Sequence, residues 1–384
     1  MKNRYLLLSL LFLSQQLYTQ DLSDLSFGTD STLDIITWNM EWFPSNGQST
    51  VDSFIVAIEA LDADVIAVQE IDDGDMFQQM LDSLDGYDGY FIESDYLELG
   101  YIYKVNDSNI IMDSIYQIFD TPSYSREFPR RPLVMELTAN GSTIYIINNH
   151  FKCCGNGYMD LSDEWDEETR RYDACNLLDQ YIYTYHPDDK VIITGDLNDL
   201  IQESGSNVFE VFIEDSANYF MSDMVIAEGS QQYWSYPNWP SHLDHFIITS
   251  EFENDINDPA YNIETLLIED YLANGFSEYE SNMSDHRPVA IQFPFTPLAL
   301  DIADELAYYD LSISLYPNPA HDVVFISTDE TIDQLKVYDQ LGNVVMVKDK
   351  SISKTISLSG LSSGLYIVEF RKNKAILRKK LIIQ

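Results

Sequence analysis

Short apolar segments alternate with amphipathic ones between residues 33 and 293. Five β-branched segments of about six residues are typical of buried strands. They are LDIITWN, DVIAVQE, STIYIINNH, KVIITGD and LDHFIIT. Apolar residues recur at helical spacing over residues 51–61 and 166–185, and more weakly over 76–84. Many strands with few helices predict two packed sheets flanked by helices.

Polar side chains follow these apolar segments where the strands end. An acid at a strand end is by itself typical of a turn or a helix cap. Here the ends together supply four carboxylates, four amides and three imidazoles. They lie in Trp38-Asn39, Gln69-Glu70, Asn149-His150, Gly195-Asp196-Leu197-Asn198, Leu243-Asp244-His245 and Ser284-Asp285-His286. Such sets suit Mg²⁺ or Mn²⁺, whereas no Cys-x-x-Cys or His-Glu-x-x-His spacing favours zinc.

Strand-like alternation returns in the last 72 residues. The segments ISLYPNPAHDVVFIS, QLKVYDQLGNVVMV, TISLSGLSSGLYIVEF and KAILRKKLIIQ contain the turns YPNP, QLGN and SSG. They predict a small all-β sandwich of about 70 residues. The preceding segment shows little strand pattern, so we expect a larger domain at 21–294, a linker at 295–312 and the small domain at 313–384.

The first twenty residues combine Lys2 and Arg4 with an apolar stretch over 5–13 and a polar end. This pattern is typical of a secretory signal peptide at 1–20. The alternative is a membrane anchor, but about nine apolar residues cannot span a bilayer that needs about twenty. No later segment is long enough either. We therefore expect a soluble, exported protein.

Three cysteines are an odd number for an oxidising compartment. A bridge from Cys153 or Cys154 to Cys175 is one pairing. A vicinal bridge between Cys153 and Cys154 is another, and the sequence leaves both open.

Acidic residues dominate the chain, which contains 64 Asp and Glu against 21 Lys and Arg, for a net charge of −43. Residues 21–310 have nine basic and 57 acidic side chains, nine minus 57 giving −48. Such a field repels nucleic acid and anionic membranes unless positive charge is concentrated locally. Seven of the nine basic residues lie in or near loops around the polar segments: Arg126, Arg130, Arg131, Lys152, Arg170, Arg171 and Arg287.

This placement indicates an anionic substrate that is held locally. Arg130, Arg131 and Lys152 are the candidates for binding a substrate phosphate. The alternative is ordinary ion pairing with the abundant neighbouring acids.

Six segments carry a resemblance to a known family. TWNMEWF, VIAVQEI, INNHFK, ITGDLND, LDHFI and SDHRPV occur in this order. Together they resemble the motifs of the endonuclease/exonuclease/phosphatase superfamily, which has the DNase I-like fold, over residues 33–293. The resemblance implies a four-layered α/β sandwich and divalent-metal hydrolysis of a phosphate ester. The implied cofactor is Mg²⁺, with Mn²⁺ as the alternative.

The resemblance also implies a metal site. Glu70 would be the principal ligand, helped by Asn39 and Asp285. The metal neutralises charge on the phosphoryl oxygens while an aligned water attacks in line.

The catalytic roles implied by the resemblance fall on five further residues. Asp196 and Asn198 would orient or deprotonate the attacking water and hold the phosphate. His286 would contact the scissile phosphate and share the acid/base work. Asp244 would hydrogen-bond that imidazole and fix its tautomer. His150 would be a second imidazole in contact with the phosphate.

Four other conspicuous side chains have weaker interpretations. We expect His245, next to Asp244, to be a core or supporting residue. Trp234, Tyr236 and Trp239 could stack on a base or a sugar, although packing of their loop is the simpler interpretation.

The C-terminal segment resembles the type IX secretion C-terminal sorting domain of Bacteroidota over about residues 311–384. The resemblance depends on the opening YPNP, the central VYDQLG and LSSGLYIV near a basic tail. It implies contact with the type IX secretion machinery and localisation outside the cell or on its surface. A carbohydrate-binding or adhesive β module is the alternative.

We therefore hypothesise a secreted, monomeric, Mg²⁺-dependent phosphodiesterase that hydrolyses DNA or RNA. The first alternative is a phosphatase or phospholipase C-like enzyme acting on lipid or sugar phosphates. The second is an inactive surface-binding protein with the same fold. The sequence does not distinguish DNA from RNA or endonucleolytic from exonucleolytic cleavage.

Overall fold

The computed structural model describes residues 21–93, 97–105, 109–203, 205, 207–295, 313–328, 332–338, 344–349, 354–372 and 375–383. The expected signal peptide and, apart from Phe295, the expected linker lie outside the described residues. The chain divides into two compact units between residues 297 and 298. Among the described residues, no helix is both long and apolar enough to cross a membrane.

The strands of the larger unit are numbered in chain order. They are β1 (Thr32–Phe43), β2 (Val65–Ile71), β3 (Tyr87–Phe91), β4 (Glu98–Lys104), β5 (Ile110–Gln117), β6 (Leu133–Ala139), β7 (Ser142–His150), β8 (Lys190–Asp196), β9 (Tyr219–Met221), β10 (Asp244–Thr249), β11 (Asn262–Thr265) and β12 (Val289–Pro294). One six-stranded sheet has the order β11-β12-β1-β2-β4-β3, and the second has the order β5-β6-β7-β8-β10-β9. We call them the first and the second sheet.

Helices cover the outer faces of the sheets. They are α1 (Gln48–Leu61), α2 (Gly74–Leu81), α3 (Glu167–Tyr185), α4 (Glu210–Glu214), α5 (Met224–Ala227), α6 (Glu253–Ile256) and α7 (Phe276–Asn282). Short 3₁₀ helices lie at Leu22–Asp24, Pro122–Tyr124, Gln231–Tyr233, Ser250–Phe252 and Ile268–Tyr271. The five strands and three helices expected from the periodicity are confirmed, with ends that shift by up to four residues.

Strand periodicity builds the layers. Along β1, Leu33 and Ile35 face the core between the two sheets, whereas Ile36 and Trp38 face α1 and α2. In a strand successive side chains point to opposite faces, so one apolar strand supplies two cores. A third core lies between the second sheet and α3. These layers, helix, sheet, sheet and helix, confirm the expected four-layered α/β sandwich.

Strand pairing brings the polar segments to one edge of the sandwich. β1 pairs with β2 in parallel, and β7 pairs with β8 in parallel with His150 opposite Asp196. β10 runs antiparallel to β8 and starts where β8 ends, so Asp244 also lies opposite Asp196. The carboxyl ends of parallel strands meet at the same edge, which is where sites form in such sheets.

A polar network connects the two sheets inside their shared core. The Asn148 amide on β7 donates to the carbonyl oxygens of Val68 (2.9 Å) and Gly100 (3.0 Å) on the first sheet. Its oxygen accepts from the amide of Gln69 at 2.8 Å. The backbone N–H of Asn148 donates to the hydroxyl of Tyr101 on β4 at 3.0 Å. Because every one of these groups is buried, each would cost free energy without its partner.

The smaller unit is all-β, as expected. Its strands are β13 (Ser314–Tyr316), β14 (Val323–Ser327), β15 (Gln334–Tyr338), β16 (Val344–Asp349), β17 (Thr355–Ser357), β18 (Gly364–Lys372) and β19 (Ala375–Ile383). They form a three-stranded sheet, β13-β14-β17, and a four-stranded sheet, β16-β15-β18-β19. Val324 and Ile356 of the former and Val337 and Val368 of the latter share one buried core.

We expect Tyr101→Phe to lower the free energy of unfolding by about 1–3 kcal/mol. The hydroxyl lies 2.9 Å from the Leu133 carbonyl oxygen and 2.8 Å from that of Ile146, so its removal takes a partner from the first sheet away from buried groups of the second. Urea unfolding of the full chain measures the change. The matched control is Tyr183→Phe on the exposed face of α3, for which less than about 0.5 kcal/mol is expected. Equal effects of the two substitutions would show that the network does not join the sheets.

Candidate active site

The polar segments meet in a cleft of about 620 Å³ at the strand ends. Among the expected site residues, those that line it are Glu70, His150, Asp196, Asn198, Asp285 and His286. Asn39 and Asp244 lie directly behind this surface, each hydrogen-bonded to a lining residue. The structure thus brings together all eight residues to which the resemblance gives a metal or catalytic role.

Asn39 connects the carboxylates of the two sheets. Its amide nitrogen donates to Glu70 Oε1 at 3.2 Å and to Asp196 Oδ2 at 3.0 Å. Its oxygen accepts the backbone N–H of Glu41 at 3.0 Å. Asn39 therefore positions both acids. Its oxygen keeps a second lone pair, and the ligand role expected for Asn39 stays a prediction.

Glu41 is a site residue that the sequence analysis did not include. It lines the cleft beside Glu70, and the backbone is left-handed at Glu41 (φ 40°), Trp42 (φ 50°) and Glu70 (φ 64°). Such conformations are costly for residues other than glycine and are concentrated at functional sites. The signal that the sequence offered for Glu41 is an acid two residues after Asn39, within the segment TWNMEWF.

Negative charge is concentrated at this end of the cleft. Burial, and then the neighbouring Asp285, Glu70 and Glu280, raise the pKa of Glu41 to about 7. Burial is also the main cause that raises the pKa of Asp285 and of Asp196. Carboxylates held this close compete for protons unless a cation is present.

His150 faces the same acids. Its Nε2 lies 3.7 Å from Glu70 Oε1 and 3.6 Å from Asp196 Oδ2. Burial, followed by Arg130 and His286, holds the pKa of His150 well below its usual value, so the ring is neutral. Its Nδ1 is buried and has no hydrogen-bond partner among the described residues. A neutral imidazole among carboxylates is a fit donor for a divalent cation or for a substrate phosphate.

His286 and Asp244 form a buried pair at the opposite end. His286 Nδ1 lies 2.8 Å from Asp244 Oδ2, and its Nε2 points towards Asp196 Oδ2 at 3.9 Å. Burial lowers the pKa of His286, but the carboxylates of Asp244 and Asp196 outweigh it and raise the pKa well above the usual value. Asp244 fixes the tautomer and leaves Nε2 facing the cleft.

The loop after β8 is built around Asp196. The backbone N–H of Asn198 donates to Asp196 Oδ1 at 3.1 Å, and its side-chain amide donates to the Phe151 carbonyl at 3.3 Å. Asn198 is also left-handed, with φ 56°. This turn places the Asn198 side chain in the cleft next to Asp196.

Aromatic side chains rim the cleft. Trp42 and Trp239 line it with 57% and 80% of their surface exposed, and Tyr236 packs its ring 4.9 Å from that of His286. Trp234, by contrast, is buried and donates its indole N–H to the Ile226 carbonyl. Trp239 therefore does not serve loop packing, which was the simpler expectation.

The basic residues do not gather in the cleft as their positions in the sequence suggested. Among the described residues that line it, Arg171 is the one arginine or lysine, and it is bound to Asp199 and Glu168. Arg126 and Arg287 are likewise held by acids.

The three candidate phosphate ligands do not line the cleft either. The Lys152 ammonium donates to the Cys153 carbonyl at 3.1 Å, and Arg131 is exposed to solvent. Arg130 is buried close enough to His150 to affect its pKa. Acids thus hold Arg126, Arg171 and Arg287, whereas the phosphate-binding role expected of Arg130, Arg131 and Lys152 stays a prediction.

Residues 36–286 match the family model described as Endonuclease/Exonuclease/phosphatase family, which is about two thirds of the chain. The chain belongs to this family. Its members are phosphoester hydrolases. Residues 314–384 match the model described as Secretion system C-terminal sorting domain, which points to export.

Solved structures of the endonuclease/exonuclease/phosphatase fold are similar to this chain. D. rerio TDP2 complexed with single strand DNA product has a TM-score of 0.51 and 16% identity, covering 69% of this chain and 99% of that one. A humanized D. rerio TDP2 with 14 mutations has a TM-score of 0.50 and 15% identity, covering 68% and 98%. At this identity the likeness shows the fold alone. No curated protein matches the sequence.

A second acid–imidazole cluster lies beneath the cleft of this endonuclease/exonuclease/phosphatase domain. The Asp223 carboxylate oxygen Oδ2 lies 2.9 Å from His242 Nε2 and 2.6 Å from His245 Nδ1, and all three residues are completely buried. His245 Nε2 lies 2.8 Å from the Asp199 carbonyl oxygen. His245 thus supports the loop that follows Asp196, which agrees with its expected supporting role.

Hydrogen bonding, rather than metal binding, accounts for this second cluster. Both ring nitrogens of His245 face acceptors, so the ring is a protonated imidazolium. His242 Nδ1 accepts from the Ser235 backbone N–H, so its proton is on Nε2, which lies 2.9 Å from Asp223 Oδ2. A metal would need the nitrogen lone pairs that these protons occupy. The cluster is therefore a buried ion pair with a neutral second imidazole.

We expect Asp223→Asn to destabilise the protein most between about pH 4 and 6.5. Burial opposes the change, but the two imidazoles lower the pKa of Asp223 in the folded state. The resulting stabilisation is complete above the unfolded pKa of about 3.9 and is lost as the pH falls through the lower folded pKa. Burial opposes the change, but Asp223 raises the pKa of His245 in the folded state. This second stabilisation is complete below about pH 6.5 and is lost as the pH rises through the higher folded pKa. In the window both contributions are complete, and the loss should reach about 3–5 kcal/mol.

Urea unfolding at pH values inside and on both sides of this window measures the profile. Asp30→Asn, at an exposed aspartate of the same unit, is the matched control. A loss that does not vary with pH would contradict the ion pair.

Proposed function

We propose that the protein is an exported, divalent-metal-dependent phosphodiesterase that hydrolyses nucleic acid. The observation that carries the proposal is the arrangement of the cleft. Carboxylates crowd one end around Glu70, the imidazole of His286 is held at the other by Asp244, and Asp196 lies between them. Hydrolysis of a phosphate ester needs both parts, because negative charge must be neutralised and protons must be moved.

The donor set fits a hard divalent cation. Glu70, Glu41 and Asp285 offer carboxylate oxygens, and burial, reinforced by neighbouring carboxylates, raises the pKa values of Glu41 and Asp285. Oxygen donors favour Mg²⁺ or Mn²⁺ over zinc. In the proposed site these three residues hold the ion, and Asn39 keeps Glu70 and Asp196 in place. The ion supplies neutralisation of charge on the phosphoryl oxygens.

The protein's own groups then handle the protons. Asp196 accepts hydrogen bonds from the side chain of Asn39 and the backbone of Asn198, which orients its carboxylate towards the cleft, where it can align and deprotonate a water. His286 carries a proton on Nε2 and stands ready to bind a phosphoryl oxygen or to protonate the leaving group. His150 stays neutral and contacts the phosphate.

Aromatic rims favour substrates with unpaired bases. Trp42 and Trp239 present exposed rings in the same cleft as the catalytic groups. Stacking on aromatic rings is worth about 1–3 kcal/mol per base and tolerates any sequence. Arg171, the one arginine or lysine among the described residues that line the cleft, is engaged by acids, so the backbone of a long duplex has few partners there. Single-stranded DNA or RNA fits this surface, and the similar TDP2 fold is known in complex with a single-strand DNA product.

A second candidate is a phosphatase or phospholipase C-like activity on lipid or sugar phosphates. The scarcity of free cations in the cleft favours it, because a small substrate needs fewer backbone contacts. The third candidate, an inactive binding protein, has little support because the catalytic constellation is complete. Export by the type IX secretion machinery is proposed on the sorting domain at 314–384 and the leader pattern at 1–20.

We expect Glu70→Gln and His286→Gln each to lower Mg²⁺-dependent cleavage by about 10²–10⁴-fold. The first removes a carboxylate from the cation site, and the second removes the proton donor. The effect is measured as cleavage by the full chain, with and without EDTA. The substrates are plasmid DNA, single-stranded DNA and RNA. The matched control is Glu59→Gln on the exposed face of α1, which should keep full activity. Cleavage that persists in EDTA or in either variant would refute the proposed mechanism.

We expect Trp239→Ala to raise KM for single-stranded oligonucleotides by about tenfold, because one stacked base is lost. Initial rates on oligonucleotides and on a glycerol phosphodiester, which has no base, measure the difference. Only the oligonucleotide should respond. Trp165→Ala, at an exposed tryptophan that is not part of the cleft lining, is the matched control. If Trp239→Ala slows both substrates equally, the ring does not recognise bases, and a lipid or sugar phosphate becomes the better candidate.

A further inference from the structure

Two adjacent cysteines form part of the cleft wall. Cys153 and Cys154 follow the end of β7, and both line the cleft. Their Sγ atoms lie 2.8 Å apart, and the side chain of Cys154 is exposed to solvent. The pair is therefore accessible to small molecules and already arranged with its sulfur atoms in contact.

The third cysteine lies in different surroundings. Cys175 lies on α3, is completely buried, and packs in the core between α3 and the second sheet with Ala174 and Leu178. A thiol in such surroundings is inert. Of the pairings that the sequence leaves open, the packing favours the one within Cys153 and Cys154.

We propose that Cys153 and Cys154 are a modification site that forms a reversible vicinal disulfide at the cleft. The oxidant is a low-molecular-weight disulfide. One cysteine thiolate attacks it and releases one thiol, leaving a mixed disulfide. The second cysteine thiolate then attacks the protein sulfur of that mixed disulfide and releases the other thiol. The two cysteines lose two protons and two electrons, which appear in the two thiols.

Adjacency makes this bridge easy to reverse. Neighbouring Cα atoms are about 3.8 Å apart across a trans peptide, whereas bridged cysteines usually have Cα atoms about 4.4–6.8 Å apart. A bridge between neighbours is therefore strained by the chain itself. Strained and exposed disulfides are the labile, regulatory ones.

Arg171 connects this loop to the catalytic loop. Its Nη1 donates to the carbonyl oxygens of Lys152 at 2.7 Å and Cys154 at 2.8 Å. Its Nε donates to Asp199 Oδ2 at 2.8 Å, three residues after Asp196. A disulfide would hold both cysteines in the close arrangement seen here and thereby stabilise the present conformation of both loops. This consequence rests on the proposed function, whereas the bridge itself does not.

Peptide mapping tests the bridge without reference to activity. The full chain is equilibrated with oxidised glutathione, denatured, alkylated without reductant and digested with trypsin. Cleavage after Lys152, Arg170 and Arg171 separates residues 153–170 from the peptide that contains Cys175. We expect the 153–170 peptide to be two hydrogens lighter and free of label, and Cys175 to be alkylated. Label on both Cys153 and Cys154, a glutathione adduct, or a link to the Cys175 peptide would overturn the proposal.

Variants test the coupling to the cleft. Reduction of the wild-type chain should lower kcat/KM by about tenfold, because the loops lose a constraint on positioning. Cys175→Ser, the matched control, should respond in the same way, whereas Cys154→Ser should not respond to reductant. A mapped bridge with unchanged rates on reduction would refute the coupling. A mapped bridge in a protein that cleaves no substrate would support the modification site and contradict the proposed function.

Discussion

The two sheets are held in one alignment by a buried amide. Asn148 bonds the backbones of β2 and β4 across the inter-sheet core, and the Tyr101 hydroxyl reaches back to β6 and β7. An apolar core alone tolerates small sliding movements, whereas buried donors and acceptors have one register in which all are paired. This constraint matters because the site is divided between the sheets. Glu70 belongs to the first and Asp196 to the second, and the single amide of Asn39 must reach both.

The carboxylates of the cleft repel one another, and a bound cation would relieve this repulsion. Glu41 and Glu70, both in left-handed conformations, line the cleft together with Asp285, and burial followed by the neighbouring carboxylates raises the pKa values of Glu41 and Asp285. A fold selected only for stability would separate these acids. The surrounding domain, at −48 from nine basic and 57 acidic side chains, adds to the negative potential. It favours cations over polyanions, so an anionic substrate depends on the ion and on the aromatic rim more than on arginine or lysine.

Two aspartate–histidine pairs show how position decides the role of the same chemistry. Asp244 leaves the Nε2 of His286 facing the cleft, where a proton can be exchanged with a substrate. Asp223 binds Nδ1 of His245, and the backbone carbonyl of Asp199 binds its Nε2. Neither proton of this ring can therefore be exchanged with a substrate. The first pair suits catalysis and the second supports the loop behind it. Arg171 restrains the same loop from the side of Cys154, so the catalytic loop is held from two directions.

The sequence by itself determined the layers and the place of most site residues. Alternation along segments such as LDIITWN specifies which side chains enter which core, and polar residues at strand ends specify where a site forms. The tertiary structure decided what depends on partners far apart in the chain. The cations of the larger unit are close to the motifs in sequence, yet most bind acids that folding brings near, such as Asp199 for Arg171. A backbone turn brings Glu41 into the site. Beneath the site, Asp223 determines the supporting roles of His242 and His245, from which it is about 20 residues distant in the chain. Periodicity is a local property of the chain, whereas burial and charge pairing are set by the whole fold.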